Sequence, residues 1–223
     1  MKIRLLIAAL VLLAVQTADA AKRDAPSVIT IVALGDSLTA GYGLSRKQAY
    51  PALVAEKMRA AGYEFEVVNA GSSGDTTAGG LERLPAILRA HKKIDIFILE
   101  LGINDAFRGV PIDQIRANLQ AIIDQTRARH PGVSIVIAGM QLPDFSSDDY
   151  VGAFGGIFAA LAEKNRATLI PYLLEGVGGN PALNQWDRVH PNAAGQRVLA
   201  ENVWRVLKPM LRNTAATPSA RVD

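Results

Sequence analysis

Nearly continuous short apolar runs, separated by longer stretches of helical period, constrain this chain more than any other feature. Ile29 to Leu34, Phe65 to Val68, Ile94 to Leu101 and Val133 to Ala138 are rich in β-branched and aliphatic residues. Continuous apolarity, as opposed to alternation, marks strands covered on both faces. Between them, Gln48 to Ala60, Thr77 to Ala90 and Asp113 to Arg129 space their apolar residues as a helix does, with Ile115, Leu119, Ile122 and Ile123 as the clearest series. Pro51 and Pro85 fall inside the first two patterns, so each helix is expected to start or bend there. A last strand is expected near Thr168 to Pro171. A last helix is expected from about Ala193 to Leu211, with Val198, Val203, Val206 and Leu207 along it. This alternation predicts an α/β fold, a parallel sheet between two layers of helices.

The 223 residues are 49% hydrophobic and 20% charged, enough for one domain with a sizeable core. Lys2 and Arg4, an apolar stretch from Leu5 to Val15 and then Ala18-Asp19-Ala20 have the layout of a secretory signal peptide cut after Ala20. A membrane anchor would need about 20 apolar residues, and Gln16, Thr17 and Asp19 interrupt this one. The expected organisation is a signal peptide over residues 1–20, one domain over 21–212 and a small polar tail, disordered, over 213–223. Export to the periplasm or the medium follows, with no integral anchor after processing. Removing Lys2, Arg4 and Asp19 changes 24 basic and 21 acidic side chains to 22 and 20. Those charges are scattered along the chain, so neither a nucleic-acid footprint nor an anionic-membrane patch is expected. Without cysteine there is no thiol nucleophile, disulfide or Cys-based metal site.

Open α/β sheets place their sites outside the carboxyl ends of the strands. Three polar, glycine-bearing segments stand there: "GDSLTAGYG" from Gly35, "NAGSSGDT" from Asn69 and "GIND" from Gly102. Serine hydrolysis needs a hydroxyl, an imidazole to take its proton and an acceptor to fix the imidazole. Of three histidines, His91 and His130 stand at helix ends and are expected to be solvated there. His190 lies in "DRVHPNAAG", three residues after Asp187, close enough on one loop for the carboxylate to reach Nδ1 and leave Nε2 for Ser37. A turn capped by Asp187 over a packed His190 is the plainer alternative. Candidate oxyanion donors are the N–H groups of Ser37 and Gly74 and the amide of Asn104, although Asn and Gly in such places also serve simply as turn formers. Asp36 is expected to brace the loop, not to carry protons. The two glycines after Ser37 are expected to turn the chain close to the site before the first helix.

In order and over nearly the whole mature chain, these four segments resemble the four blocks of the SGNH, or GDSL, hydrolase superfamily. "ELGINDAFRG" and "MQLP" bring the resemblance closest to the bacterial periplasmic branch of acyl-CoA thioesterase I, lysophospholipase L1 and arylesterase. The resemblance implies a flavodoxin-like three-layer α/β/α fold with about five parallel strands, no metal and no cofactor. It implies a Ser37, His190, Asp187 triad and an oxyanion hole of Ser37, Gly74 and Asn104. It further implies that 105–111 and 140–150 border an acyl-binding cleft, with Asp105, Phe107, Leu142 and Pro143 as substrate-binding residues. The expected activity is hydrolysis of carboxylic esters, thioesters or both, as small-molecule substrates, through an acyl-enzyme and by a monomer. Deacetylation of carbohydrate or peptidoglycan is the alternative within hydrolases. A non-catalytic acyl carrier is the alternative outside them, and Asp187 with His190 speaks against it, since a binder needs no base. Nucleotide binding is disfavoured because no G-x-x-x-x-G-K-[ST] or G-x-G-x-x-G follows a strand.

Overall fold

The computed structural model describes residues 28–142 and 148–215. Residues 1–27, which include the expected signal peptide, residues 143–147, which include Pro143, and residues 216–223 lie outside them. Five strands, β1 (Ile29–Gly35), β2 (Phe65–Gly71), β3 (Ile96–Glu100), β4 (Ser134–Ala138) and β5 (Thr168–Ile170), form one sheet in the order β2-β1-β3-β4-β5. Every pairing is parallel. Central strands β1 and β3 are buried almost throughout, whereas edge strand β2 is half-exposed and carries Glu66 on its open side.

The helices are α1 (Ser37–Ala40), α2 (Tyr50–Ala60), α3 (Thr77–Ala90), α4 (Ile103–Phe107), α5 (Ile112–Arg129), α6 (Asp148–Asn165) and α7 (Ala193–Ala215). α2 packs with α7, while α3, α5 and α6 pack in sequence with one another, which gives the two covering layers. α5 buries Ile115, Leu119, Ile122, Ile123 and Thr126, the stripe expected of 3.6 residues per turn. On α7 the fully buried stripe is Leu199, Val203, Leu207 and Leu211; the expected Val198 and Val206 are only half-buried beside it. Pro51 stands in the first turn of α2, where its missing N–H costs nothing, but Pro85 lies inside α3. α7 continues through Ala215, so residues 213–215 of the expected tail are helical.

Helix α6 was not expected. Gly152, Gly155 and Gly156 weaken its helical signal, each by about 1 kcal/mol relative to alanine, yet Phe154, Ile157, Phe158 and Leu161 bury one face of it. Phe154 and Phe158 meet edge to face at 5.3 Å. Tertiary packing therefore outweighs local propensity there.

The strand order reverses at β1, whose neighbours lead outward in opposite directions. Register aligns Gly35 with Gly71 on one side and with Glu100 on the other. The three strands thus end level, and the segments that follow them meet at the switch point where α/β sheets form their clefts.

Candidate active site

Gly35 lets the chain double back on itself at the end of β1. A Cβ there would lie 2.1 Å from Thr39 Oγ1 and 2.5 Å from Glu100 Oε2, so no larger residue fits without displacing α1. Asp36 caps α1 by accepting the Leu38 N–H at 3.0 Å. The first helix accordingly begins at Ser37 itself, before the two glycines instead of after them. Gly41, at φ +76°, ends it in the left-handed region that glycine adopts freely.

His190 arrives from the opposite end of the chain on the loop before α7. Gln185 N donates to His190 O at 2.7 Å and Asn192 N to Leu183 O at 2.9 Å, which closes this loop like a hairpin. Asn192 Oδ1 accepts the N–H groups of Ala194 and Gly195 and so caps α7. From the first turn of α7, Gln196 reaches back to accept the Tyr50 N–H and to donate to Leu38 O, fastening this loop's helix to the nucleophile turn.

The resulting geometry joins three expected residues. Asp187 Oδ2 lies 2.7 Å from His190 Nδ1, and His190 Nε2 lies 3.1 Å from Ser37 Oγ. Burial works against the charge on Asp187, but the His190 N–H, the His190 ring and the Val189 N–H more than offset it and hold the carboxyl at about 2. An ionised carboxylate only accepts, so Nδ1 carries the proton and Nε2 presents its lone pair to the serine hydroxyl. The Tyr42 ring packs 4.4 Å from the imidazole. Of the other histidines, His91 is the C-cap residue of α3. His130, expected in solvent, is 6% exposed, and its Nε2 donates to Leu88 O at 3.2 Å. The packing of α5 on α3 covers it.

Asn104 donates its amide hydrogens to Asp36 Oδ2 at 3.1 Å and to Asp75 O at 2.9 Å, linking the loops after β1, β2 and β3. Gly74 takes φ +79°, with open space where a Cβ would stand. Among the described residues no protein acceptor takes the N–H of Ser37 or of Gly74. Arg83, a residue the sequence reading missed, ties the same loops from beneath. It donates to Asp75 Oδ2, Ala70 O and Gly35 O at 2.6, 2.7 and 2.9 Å.

Behind Ser37 lies a second acidic group that sequence reasoning also missed. Glu100 is fully buried at the end of β3; its Oε2 accepts from Thr39 Oγ1 at 2.7 Å and from Asp36 N at 3.2 Å, and Oε1 has no partner. Burial and the nearby Asp36 push its carboxyl well up, toward the neutral acid. Burial likewise raises Asp36, to about 6, against the pull of the Leu38 N–H and the imidazole.

The four expected substrate contacts separate. Phe107 is half-exposed near Asn104, and Leu142 is buried. Pro143 lies outside the described residues. Asp105 corrects the expectation: it is 1% exposed and both oxygens accept from Thr77, at 2.8 Å from N and 2.6 Å from Oγ1. Its role is to fasten α4 to the start of α3. Among the described residues no three His, Cys, Asp or Glu side chains gather as a metal site.

Residues 33–198 match the GDSL-like lipase/acylhydrolase family. The chain is 42% identical over 182 residues to the esterase TesA of Pseudomonas aeruginosa, a match covering 82% of this chain and 89% of that one. It is 35% identical over 184 residues to thioesterase 1/protease 1/lysophospholipase L1 of Escherichia coli K12, over 82% and 86% of the two chains. The crystal structure of TesA superposes with a TM-score of 0.77 at 41% identity, over 81% of this chain and 99% of that one.

Proposed function

The chain belongs to the GDSL-like lipase/acylhydrolase family and is an ester-hydrolysing enzyme, and for its chemistry we propose a two-step acyl transfer to water centred on Ser37. The observation that carries this reading is the hydrogen-bonded line from Asp187 through His190 to Ser37. Neutral His190 takes the hydroxyl proton as Ser37 Oγ attacks the carbonyl carbon of an ester or thioester. The carboxylate of Asp187 stabilises the imidazolium so formed, which then protonates the leaving alcohol or thiol. Water, deprotonated by the same imidazole, attacks the acyl-enzyme and releases the acid.

The developing oxyanion is held by the Ser37 and Gly74 N–H groups, which no protein acceptor competes for among the described residues. Asn104 joins them by exchanging its longer bond, the one to Asp36, for the oxyanion. Phe107 and Leu142 border the acyl-binding side. The substrate is a small-molecule acyl ester or thioester, the enzyme acts as a monomer, and residues 1–20 direct it to the periplasm or the medium. Among the described residues no helix is long and apolar enough to cross a membrane.

Treatment with a serine-directed phosphonate, followed by peptide mass spectrometry and by turnover of p-nitrophenyl esters from acetyl to palmitoyl, tests this reading. One adduct on Ser37 with complete loss of turnover is expected. An active, unmodified enzyme, or an adduct elsewhere, overturns the assignment.

A further inference from the structure

Five large apolar side chains stand exposed among the described residues: Val28, Tyr42, Phe107, Trp186 and Val189. Val28 precedes β1, at the amino edge of the sheet. The other four lie at the carboxyl edge, around Ser37, with Tyr42, Trp186 and Val189 on loops and Phe107 at the end of α4. Trp186 is 93% exposed and the other three are about half-exposed. Isolated surface apolar residues need no explanation, but these surround one site. Tyr42 packs on the His190 ring, Trp186 and Val189 flank Asp187 in the chain, and Phe107 ends the helix that carries Asn104. A side chain as large as Trp186 left almost wholly in water forgoes a burial worth roughly 2 to 3 kcal/mol.

Charge on the same three loops points one way. Arg46 and Lys47 follow Tyr42, Arg108 follows Phe107, and Arg188 stands between Trp186 and Val189; all four are exposed. The acids of these loops are occupied, Asp187 by His190 and Asp105 by Thr77. Cations far apart in sequence, from residue 46 to residue 188, thus stand on segments that meet at one edge. Amphipathic aromatic rings beside exposed arginine and lysine are the composition of surfaces that settle into an anionic lipid–water boundary.

We propose that the rim of the active site docks on an anionic lipid surface, with Trp186 and Val189 entering the head-group region and Arg46, Lys47 and Arg188 lying against the lipid phosphates. Docking in this orientation faces Ser37 toward the surface where long-chain acyl esters reside. The benefit to catalysis rests on the acyl-transfer reading above, whereas the binding itself does not require Ser37.

Sedimentation with phosphatidylglycerol vesicles, and with phosphatidylcholine vesicles as control, tests the proposal on the protein and its Ser37→Ala, Trp186→Ser and Val189→Ser variants. The protein is expected to sediment with phosphatidylglycerol, less so as salt is raised, and much less with phosphatidylcholine. Trp186→Ser should weaken vesicle binding by at least about tenfold with unchanged kcat/KM on p-nitrophenyl acetate, and Val189→Ser should weaken vesicle binding by a few-fold. Ser37→Ala should bind vesicles as the parent does and hydrolyse nothing; a Ser37→Ala protein that binds and still turns over sinks the catalytic reading alone. Absence of binding, or equal binding by Trp186→Ser, overturns the docking proposal. Equal affinity for phosphatidylcholine overturns its anionic part. A raised KM for the soluble ester in Trp186→Ser, with vesicle binding unaltered, places Trp186 against the acyl chain instead.

Discussion

Asp187 and Asp36 stand on opposite sides of the Ser37–His190 pair and are driven in opposite directions. Asp187 sits on a loop at the edge of the protein and accepts three hydrogen bonds from its own turn and imidazole, which keep it ionised down to about 2. Asp36 lies in the interior between Glu100 and Asn104, and burial lifts it to about 6. On the acyl-transfer reading the difference is a division of labour: the edge carboxylate would supply charge to the proton transfer, while the interior carboxyls accept the N–H and hydroxyl groups of the turn that holds the serine. Substitutions at the edge and in the interior break or sharpen that division.

The largest effect is expected at the edge. Asp187→Asn leaves the loop's size unchanged but replaces an acceptor-only group by an amide, which no longer fixes the proton on Nδ1. Steady-state turnover of a p-nitrophenyl ester should fall by about 10⁴-fold, as when the carboxylate of a triad becomes an amide, with thermal unfolding little altered. A loss of only a few-fold would place Asp187 among the structural acids and erase the contrast.

Next comes the interior. Glu100→Ala leaves the Asp36 N–H and the Thr39 hydroxyl without their buried acceptor and opens a void beneath Gly35, at a cost of about 3 to 5 kcal/mol. Glu100→Gln resembles the neutral acid and should cost about 1 kcal/mol or less. Urea unfolding of the two variants measures this; a glutamine variant as unstable as the alanine one would mean that the charge of Glu100, not its shape, is what the turn requires.

That contrast also explains what could be read from the sequence. Asp187 and His190 were legible because they are three residues apart on one loop, so local geometry alone brings them together. Ser37, Gly74 and Asn104 were legible because β1, β2 and β3 end in register. Glu100 fell inside the apolar run Ile94 to Leu101 and drew no role, since its partners Asp36 and Thr39 are more than 60 residues away. Arg83 drew no role within the helical stretch Thr77 to Ala90, because its partners Asp75, Ala70 and Gly35 lie on other segments, and His130 read as a solvated terminus because its burial against α3 leaves no periodic trace around it. Asp105 was placed on the cleft by the family resemblance, but a side chain's direction within a short helix depends on what stands across from it, here Thr77.

The smallest and most diagnostic effect is in the pH dependence of stability. Asp36 holds its proton to about pH 6 when folded, against its ordinary value of 3.8 in the unfolded chain. Between those values the native state binds the extra proton, so this group's contribution to stability is greatest below about pH 4 and declines as pH rises toward 6. Asp187 has the opposite sign. Its stabilisation is complete above 3.8 and disappears as pH falls toward about 2. Two pKa units correspond to at most about 3 kcal/mol, and shared protonation with Glu100 reduces what Asp36 shows alone. Urea midpoints measured from pH 3 to 7 should therefore change in slope between pH 4 and 6 in Asp36→Asn, becoming flatter or rising, while Asp187→Asn keeps that decline and loses the acid limb below pH 4. The slope is the quantity to read, because the asparagine at position 36 also faces Asn104 with a donor and lowers stability at every pH. If Asp36→Asn keeps the full decline between pH 4 and 6, the interior acid responsible is not Asp36, and the opposition between the two sides of the serine must be drawn with Glu100 alone.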